Sequence, residues 1–313
     1  MLITPRPGAD RKKIRQALSN IHASAESLRR SYASPFEGLL TYLEWATESA
    51  QTLRFLISDR DLDQLVFTDR YRVLLGSCGT LAGTDQKRLV NGLVELEVTQ
   101  RIEACQAALD LLDTRISQWS QQREVFVVAD SSFYIQNEKK LKDVVLHDVL
   151  GVHRRQVVRL LFPIVVVDEL DDLKDASKQR ARWRAAHTLG RLDEVLDGRT
   201  NGMLCEGEDK DGETFGRVNV EIVLDPPGHV RLDRPDIEII DRTVAIQGLA
   251  GREVRLLTCD TSQHTRGRAA GLKVTKVTAK DPGEEPDWSA PDKAGTGGRA
   301  KRRVQKAEGE TAD

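Results

Sequence analysis

The amino-terminal part of the chain carries one repeated rhythm. Ile14, Leu18, Ile21, Ala25 and Leu28 recur at alternating spacings of four and three, which sets them on one stripe of a helix. Ser34-Pro35 predicts a restart, with Ser as cap and Pro at the first helical position. Phe36, Leu39, Leu43, Ala46, Ala50 and Leu53 then continue the stripe. Leu62, Leu65, Val66, Val73 and Leu74 predict a third helix over 61–75, punctuated by Gly76 and Gly79. A long helix follows, capped at Thr84. Leu89, Leu93 and Leu96 open its apolar face, and Ile102, Cys105, Leu109, Leu112, Ile116 and Trp119 carry it to Ser120. Residues 1–9 read as a flexible leader. Residues 10–120 read as antiparallel helices of bundle or coiled-coil type with no catalytic constellation. They form either a self-packed helical domain or a surface for a second copy or a partner protein.

After Gln122 the period changes. Val125–Ala129 is a continuous small or apolar run that ends in Asp130-Ser131-Ser132, the signature of a strand buried on both faces. Phe162–Val167 is a second such run, ending in Asp168-Glu169, and Val254–Thr258 a third, ending in Cys259-Asp260. Helices are predicted over 137–150, after Ser177 with Ala185, Leu189, Leu192 and Leu196 buried, and over 237–250. Residues 200–216 read as a loop. Val218, Val220, Ile222 and Leu224 alternate with polar residues as a half-exposed strand, and residues 271–274 open a last one. Strand and helix alternate, so the fold class is α/β: a three-layer domain with a central, mostly parallel sheet over 122–279, behind an all-α domain over 1–121. Residues 280–313 are rich in Pro, Gly and charge and read as a disordered tail, with a basic cluster at Arg299, Lys301, Arg302 and Arg303.

A net charge of −2 gives no overall electrostatic case for nucleic acid, but it leaves room for local basic patches. Cys78, Cys105, Cys205 and Cys259 have no zinc-site spacing, and Cys105 and Cys259 fall in apolar patterns as reduced core residues. No stretch has membrane-spanning length, and Met1–Asn20 lacks the apolar segment of a secretory leader, so a cytoplasmic location is expected. The chain has no G-x-G-x-x-G after its first strand, no G-x-S-x-G and no H-E-x-x-H.

The candidate chemistry is therefore acidic. Parallel strands deliver Asp130, Glu169 and Asp260 towards one sheet edge, and Asp241 comes from the helix over 237–250. Acids also follow strands simply because turns and helix caps favour them. Clustered carboxylates repel one another, and a divalent cation removes that cost; hard oxygen ligands suit Mg²⁺ or Mn²⁺. Asp236 competes with Asp241 for the third position, and Asp168, Asp171 and Asp172 crowd Glu169. Lys178, Arg180, Arg182 and Arg184 are either phosphate contacts or a solvated basic helix start.

Four motifs in this order resemble the PIN domain, a metal-dependent nuclease fold, over residues 125–278. They are Asp130-Ser131-Ser132 after a strand, and Pro163 to Glu169-Leu170. The third is Asp241 with Val244-Ala245, and the fourth is Thr258-Cys259-Asp260 followed by Gly271-Leu272. The resemblance implies a nuclease, an endoribonuclease-like phosphodiesterase acting on single-stranded or exposed RNA with Mg²⁺ or Mn²⁺. It implies that Asp130, Glu169, Asp241 and Asp260 hold metal directly or through water, with Ser132 and Thr258 hydrogen-bonding them from behind. A catalytically inactive scaffold that binds RNA or protein is the alternative. Phosphatases of the haloacid-dehalogenase type need a second Asp where Ser132 stands. The resemblance says nothing about residues 1–120.

Overall fold

Asp10 starts the helical region. Its carboxylate accepts the N–H groups of Lys12 and Lys13 at 2.9 and 3.0 Å, capping α1 (Arg11–Ser27). The leader before it is docked rather than flexible: Pro5 forms an antiparallel bridge with Ile57, Thr4 N–H donates to Asp61 at 2.7 Å, and Ile3 is buried. The computed structural model describes residues 3–29, 35–81, 86–120, 124–175, 177–207, 216–226 and 229–277. The expected caps Ser34 and Thr84 and the expected tail lie outside them.

Four further helices complete an all-helical region: α2 (Pro35–Leu53), α3 (Asp59–Leu65), α4 (Asp69–Leu81) and α5 (Lys87–Ser120). The helix expected over 61–75 is thus two. The chain breaks at Val66–Thr68, where the Thr68 hydroxyl accepts Tyr71 N–H at 3.1 Å, and Gly76 and Gly79 lie inside α4. The opening stripe of α5 is also one residue out of phase with the expected one. Val90, Val94 and Val98 are buried, while Leu89 and Leu96 are 56% and 45% exposed.

The remaining described residues form one six-stranded sheet of order β3-β4-β2-β1-β5-β6, with flanking helices. The strands are β1 (Val125–Ala129), β2 (Val158–Pro163), β3 (Asn201–Cys205), β4 (Val218–Val223), β5 (Val254–Thr258) and β6 (Lys273–Lys276). Every pairing is parallel except β3 with β4. The helices are α6 (Ser131–Gln136), α7 (Leu146–Leu150), α8 (Ile164–Leu173), α9 (Gln179–Leu196), α10 (Pro235–Ala250) and α11 (Thr261–Ala269).

Three local expectations are corrected. The helix expected over 137–150 is only α7, preceded by turns. The loop expected over 200–216 contains β3, an edge strand held by backbone pairing to β4. The apolar run 162–167 is split at Pro163. Its valines open α8, where Val165, Val166 and Leu170 are buried on one face, so packing overrides β-branched propensity.

The helical region and the sheet pack as one compact unit. Trp119 of α5 meets Phe126 of β1 edge-on at 5.8 Å, and its indole N–H faces Glu221 of β4 at 3.2 Å. Arg159 joins Glu124 at 2.5 Å to Glu221 at 2.8 Å, and Arg115 of α5 reaches Glu221 at 3.0 Å. The Arg11 guanidinium donates to the Leu249 and Ala250 carbonyls at the end of α10, at 3.2 and 2.7 Å. Gly267 of α11 lies so close to Val274 and Leu256 that an added Cβ would stand 2.9 and 3.0 Å from them, which keeps α11 tight on β5 and β6. No helix of the described residues is long and apolar enough to cross a membrane.

Candidate metal centre

Adjacent parallel strands β1 and β5 end side by side, with Asp130 N–H donating to the Leu257 carbonyl at 3.0 Å. Each then turns into a helix through an aspartate. Asp130 caps α6: one carboxylate oxygen accepts Phe133 N–H at 3.0 Å and the Ser132 hydroxyl at 2.7 Å. The other accepts the Thr258 hydroxyl at 2.6 Å. Ser132 in turn accepts Cys259 N–H at 2.9 Å, and Thr258 accepts Asp260 N–H at 2.8 Å. These two hydroxyls lock the ends of β1 and β5 together behind the acids. Asp130 is only 2% exposed. Burial pushes its carboxyl above the usual range, the three hydrogen bonds oppose this, and the Asp260 charge adds to it.

Asp260 caps α11, accepting Gln263 N–H at 3.0 Å, and its side chain is exposed. Gln263 is buried, and its side-chain amide donates to the Asp236 carbonyl at 2.9 Å. One glutamine thus ties the start of α10 to the start of α11. Sequence reasoning did not single it out, because a glutamine three residues past an acid has no distinctive pattern.

Glu169 sits on α8, not at a strand end, and its Oε2 is buried without a hydrogen-bond partner. Burial is the main reason its carboxyl is pushed up to about 7. The Ser131 hydroxyl opposes this, and the charges of Asp236, Asp130 and Asp172 reinforce it. Asp130 thus feels the charge of Asp260, and Glu169 the charges of Asp130 and Asp236.

Of the two acids on α10 that compete for the third position, Asp236 and Asp241, it is the Asp236 charge that reinforces the raised Glu169 carboxyl. Five helical residues separate the two, about 7.5 Å along the axis and roughly 140° around it. Asp241 is exposed and ion-paired to Arg242 at 2.5 Å.

Asp130 and Glu169 suit a hard divalent cation: both are oxygen donors whose charge burial disfavours, and one buried Glu169 oxygen lacks any donor. Mg²⁺ in particular takes one or two protein carboxylates directly and reaches others through water. Among the described residues, only Asp225, His229 and Glu238 bring three ligand-type atoms within 4.8 Å. That trio is already paired: His229 to Glu238 at 2.6 Å, Arg231 to Asp225 at 2.7 Å and Arg242 to Glu238 at 3.3 Å. Two arginines supply there the countercharge a cation would bring. Cys259, beside Asp130, is pushed up to about 11, chiefly by burial, and stays a neutral thiol.

Of the basic run, Lys178, Arg180 and Arg182 are exposed at the start of α9. Arg184 is not: it is buried, and its guanidinium donates to the carbonyls of Asn137 and Lys139, the latter at 2.7 Å. It clamps the segment after α6 and lines, with Lys139, Lys140 and Arg180, the cleft beside Trp183. Lys139, Lys140 and Lys142 of that segment add cations whose signal was the run Lys139-Lys140-Leu141-Lys142. Lys276, at the end of β6, donates to the Thr261 hydroxyl at 2.7 Å, one residue past Asp260.

Residues 127–278 match the family model described as the PIN domain. PIN domains are in general nucleases that require metal and bind nucleic acid. No curated protein matches the chain.

Proposed function

Residues 127–278 belong to the PIN-domain family, and from that premise we propose that this protein is a Mg²⁺- or Mn²⁺-dependent endoribonuclease acting on single-stranded or exposed RNA. The observation that carries the reading is the unpartnered, buried Glu169 oxygen facing the charges of Asp130 and Asp236. Asp130, Glu169, Asp236 and Asp260 would hold the cation directly or through water. When bound, such an ion polarises the phosphoryl oxygen and lowers the pKa of a bound water towards ~7.

The chain's own residues do the rest. Asp130 and Asp260 are held as caps of α6 and α11, so their positions follow the ends of β1 and β5. Ser132 and Thr258 fix the Asp130 rotamer by donating to both of its oxygens. Glu169 gives up its proton near neutral pH to join the set. Lys178, Arg180 and Arg182 supply cations for substrate phosphates. Water adds across a P–O3′ bond, leaving a 5′-phosphate and a free 3′-hydroxyl that takes the proton. The unpaired thiols of all four cysteines suit a reducing compartment such as the cytoplasm.

The test is incubation of the purified chain with labelled RNA and DNA, single-stranded and duplex, in Mg²⁺, Mn²⁺ or EDTA. Metal-dependent cleavage of single-stranded RNA is expected. Cleavage that persists in excess EDTA overturns the mechanism, and RNA binding without cleavage in either metal assigns a scaffold instead.

Asp236→Asn is expected to shift the Mn²⁺ activation curve to about 10- to 100-fold higher metal. Asp241→Asn should leave it within about twofold: both acids pair with an arginine, Asp236 with Arg234 at 3.3 Å and Asp241 with Arg242 at 2.5 Å, but only Asp236 adds its charge to Glu169. The reverse ranking would return the third position to Asp241.

For the helical region we propose self-association through its outer face, where Leu89 and Leu96 of α5 stand exposed. Light scattering of the full chain should give a multiple of the 35.0 kDa protomer mass; a monomer mass rejects it.

A further inference from the structure

Trp183 stands on the outer face of α9 with 52% of its surface exposed, whereas Trp45 and Trp119, the other tryptophans among the described residues, are buried. It forms a shared wall of two shallow clefts. One, of about 420 Å³, is lined with Lys139, Lys140 and Arg180; the other, of about 560 Å³, with Arg180 and Arg182. Lys140 Nζ lies 5.5 Å from the Trp183 ring centroid, and the His187 ring lies 5.2 Å away at 37°. These two contacts leave half of the indole surface in solvent, and its setting among cations suits a ligand that is both flat and anionic. Glu138 and Asp143 are the acids in these clefts, and Asp143 is engaged by Lys140 at 3.7 Å. Positive charge therefore prevails over both.

The position is also tied to the acids. Buried Arg184, one residue on, clamps the carbonyls of Asn137 and Lys139, the segment that α6 delivers directly from Asp130. The six residues of α6 rise about 9 Å. α6 thus sets about 9 Å between Asp130 and the segment that Arg184 clamps beside Trp183.

We infer that Trp183 is a stacking platform for an unpaired base of a single-stranded nucleic acid, with Lys140, Arg180 and Arg182 on the flanking phosphates. This rests on the nuclease reading above and adds to it a reason for single-strand preference. A base inside a duplex has no free face for the indole, whereas every unpaired base does, whatever its identity.

The test uses fluorescence anisotropy with the full chain in EDTA, so that binding is read without cleavage. The probes are a labelled single-stranded 12-mer RNA and the duplex of the same sequence, each across a salt series. Trp183→Ala should weaken single-strand binding about 10- to 100-fold at every salt concentration, with an unchanged salt slope, because stacking releases no counterions. Trp183→Phe should recover most of the affinity, and duplex binding should not move. Arg180→Ser/Arg182→Ser should instead flatten the slope by about 1.4 for the single strand and about 1.8 for the duplex. Single-strand affinity unchanged in Trp183→Ala, or an equal loss on duplex, overturns the platform. The nuclease reading fails separately: a parent chain that binds single strands through Trp183 yet does not cleave them in Mn²⁺ keeps the platform and loses the enzyme.

Discussion

Asp130→Asn, alone or combined with Asp260→Asn, is expected to lower metal-dependent cleavage by at least about 100-fold while the fold stays intact. Losing a residue that merely supports a metal ligand already costs about 10- to 100-fold, and here a ligand charge itself is removed. The fold should survive because asparagine caps helices about as well as aspartate. In Asp130→Asn the remaining carbonyl oxygen can still accept Phe133 N–H and the Ser132 hydroxyl, which reach one oxygen of the native carboxylate. The new amide then faces the Thr258 hydroxyl, whose proton can rotate away so that its oxygen accepts. Burial also opposes charge on Asp130, so a neutral side chain relieves a cost. Asp260→Asn keeps its cap to Gln263 N–H. Asp130→Ala is the poorer probe, since it strands three donors in a buried site. Circular dichroism and a melting curve check the fold, and gel-resolved RNA cleavage reads the activity. Cleavage persisting in the double variant would remove both aspartates from the mechanism.

The parts of this site that could be read from sequence are those set by local chemistry. Asp130 and Asp260 follow continuous apolar runs and cap the next helix, so strand, acid and helix start appear within a few consecutive residues. Ser132 and Thr258 lie within the same short segments. What could not be read depends on which face of a helix meets a neighbour. Asp236 and Asp241 both belong to α10, and only the bond from Gln263 to the Asp236 carbonyl and the approach to Glu169 distinguish them. Arg184 looks like Arg180 and Arg182 until the Ala181, Ala185 and Thr188 face of α9 turns inward and takes Arg184 with it. Glu169 was readable as a residue but not as a helical one, since Ile164–Val167 has strand propensity and only burial decides otherwise. β3 has no alternating apolar signature at all; backbone pairing with β4 alone makes it a strand. The α/β class itself was legible, because alternating strand and helix periods run the length of the region.

Glu169→Gln is expected to lose activity and gain stability in metal-free buffer, and the gain should depend on pH. The folded Glu169 carboxyl titrates at about 7 against an ordinary 4.5, mainly because it is buried, with Asp236, Asp130 and Asp172 adding repulsion. Below the ordinary value it is neutral in both the folded and unfolded chain and costs nothing. Between the two values the unfolded chain releases the proton that the folded chain keeps, so folding loses stability as pH rises. Above about 7 both states are ionised and the full cost persists. Glutamine has nearly the same shape and no charge, so it removes that cost. Melting in EDTA should therefore show little difference between Glu169→Gln and the parent chain near pH 4.5. Near pH 7.5 the variant should be more stable by on the order of 1–3 kcal/mol, allowing for solvent screening of a partly exposed group. Saturating Mn²⁺ should reverse the order, since an ion that binds only the folded chain stabilises the parent by mass action and finds a weakened site in the variant. A Glu169→Gln chain less stable than the parent at pH 7.5 in EDTA would mean that this carboxylate is a structural hydrogen-bonding group rather than a strained ligand. Equal stabilisation of both chains by Mn²⁺ would place the metal elsewhere.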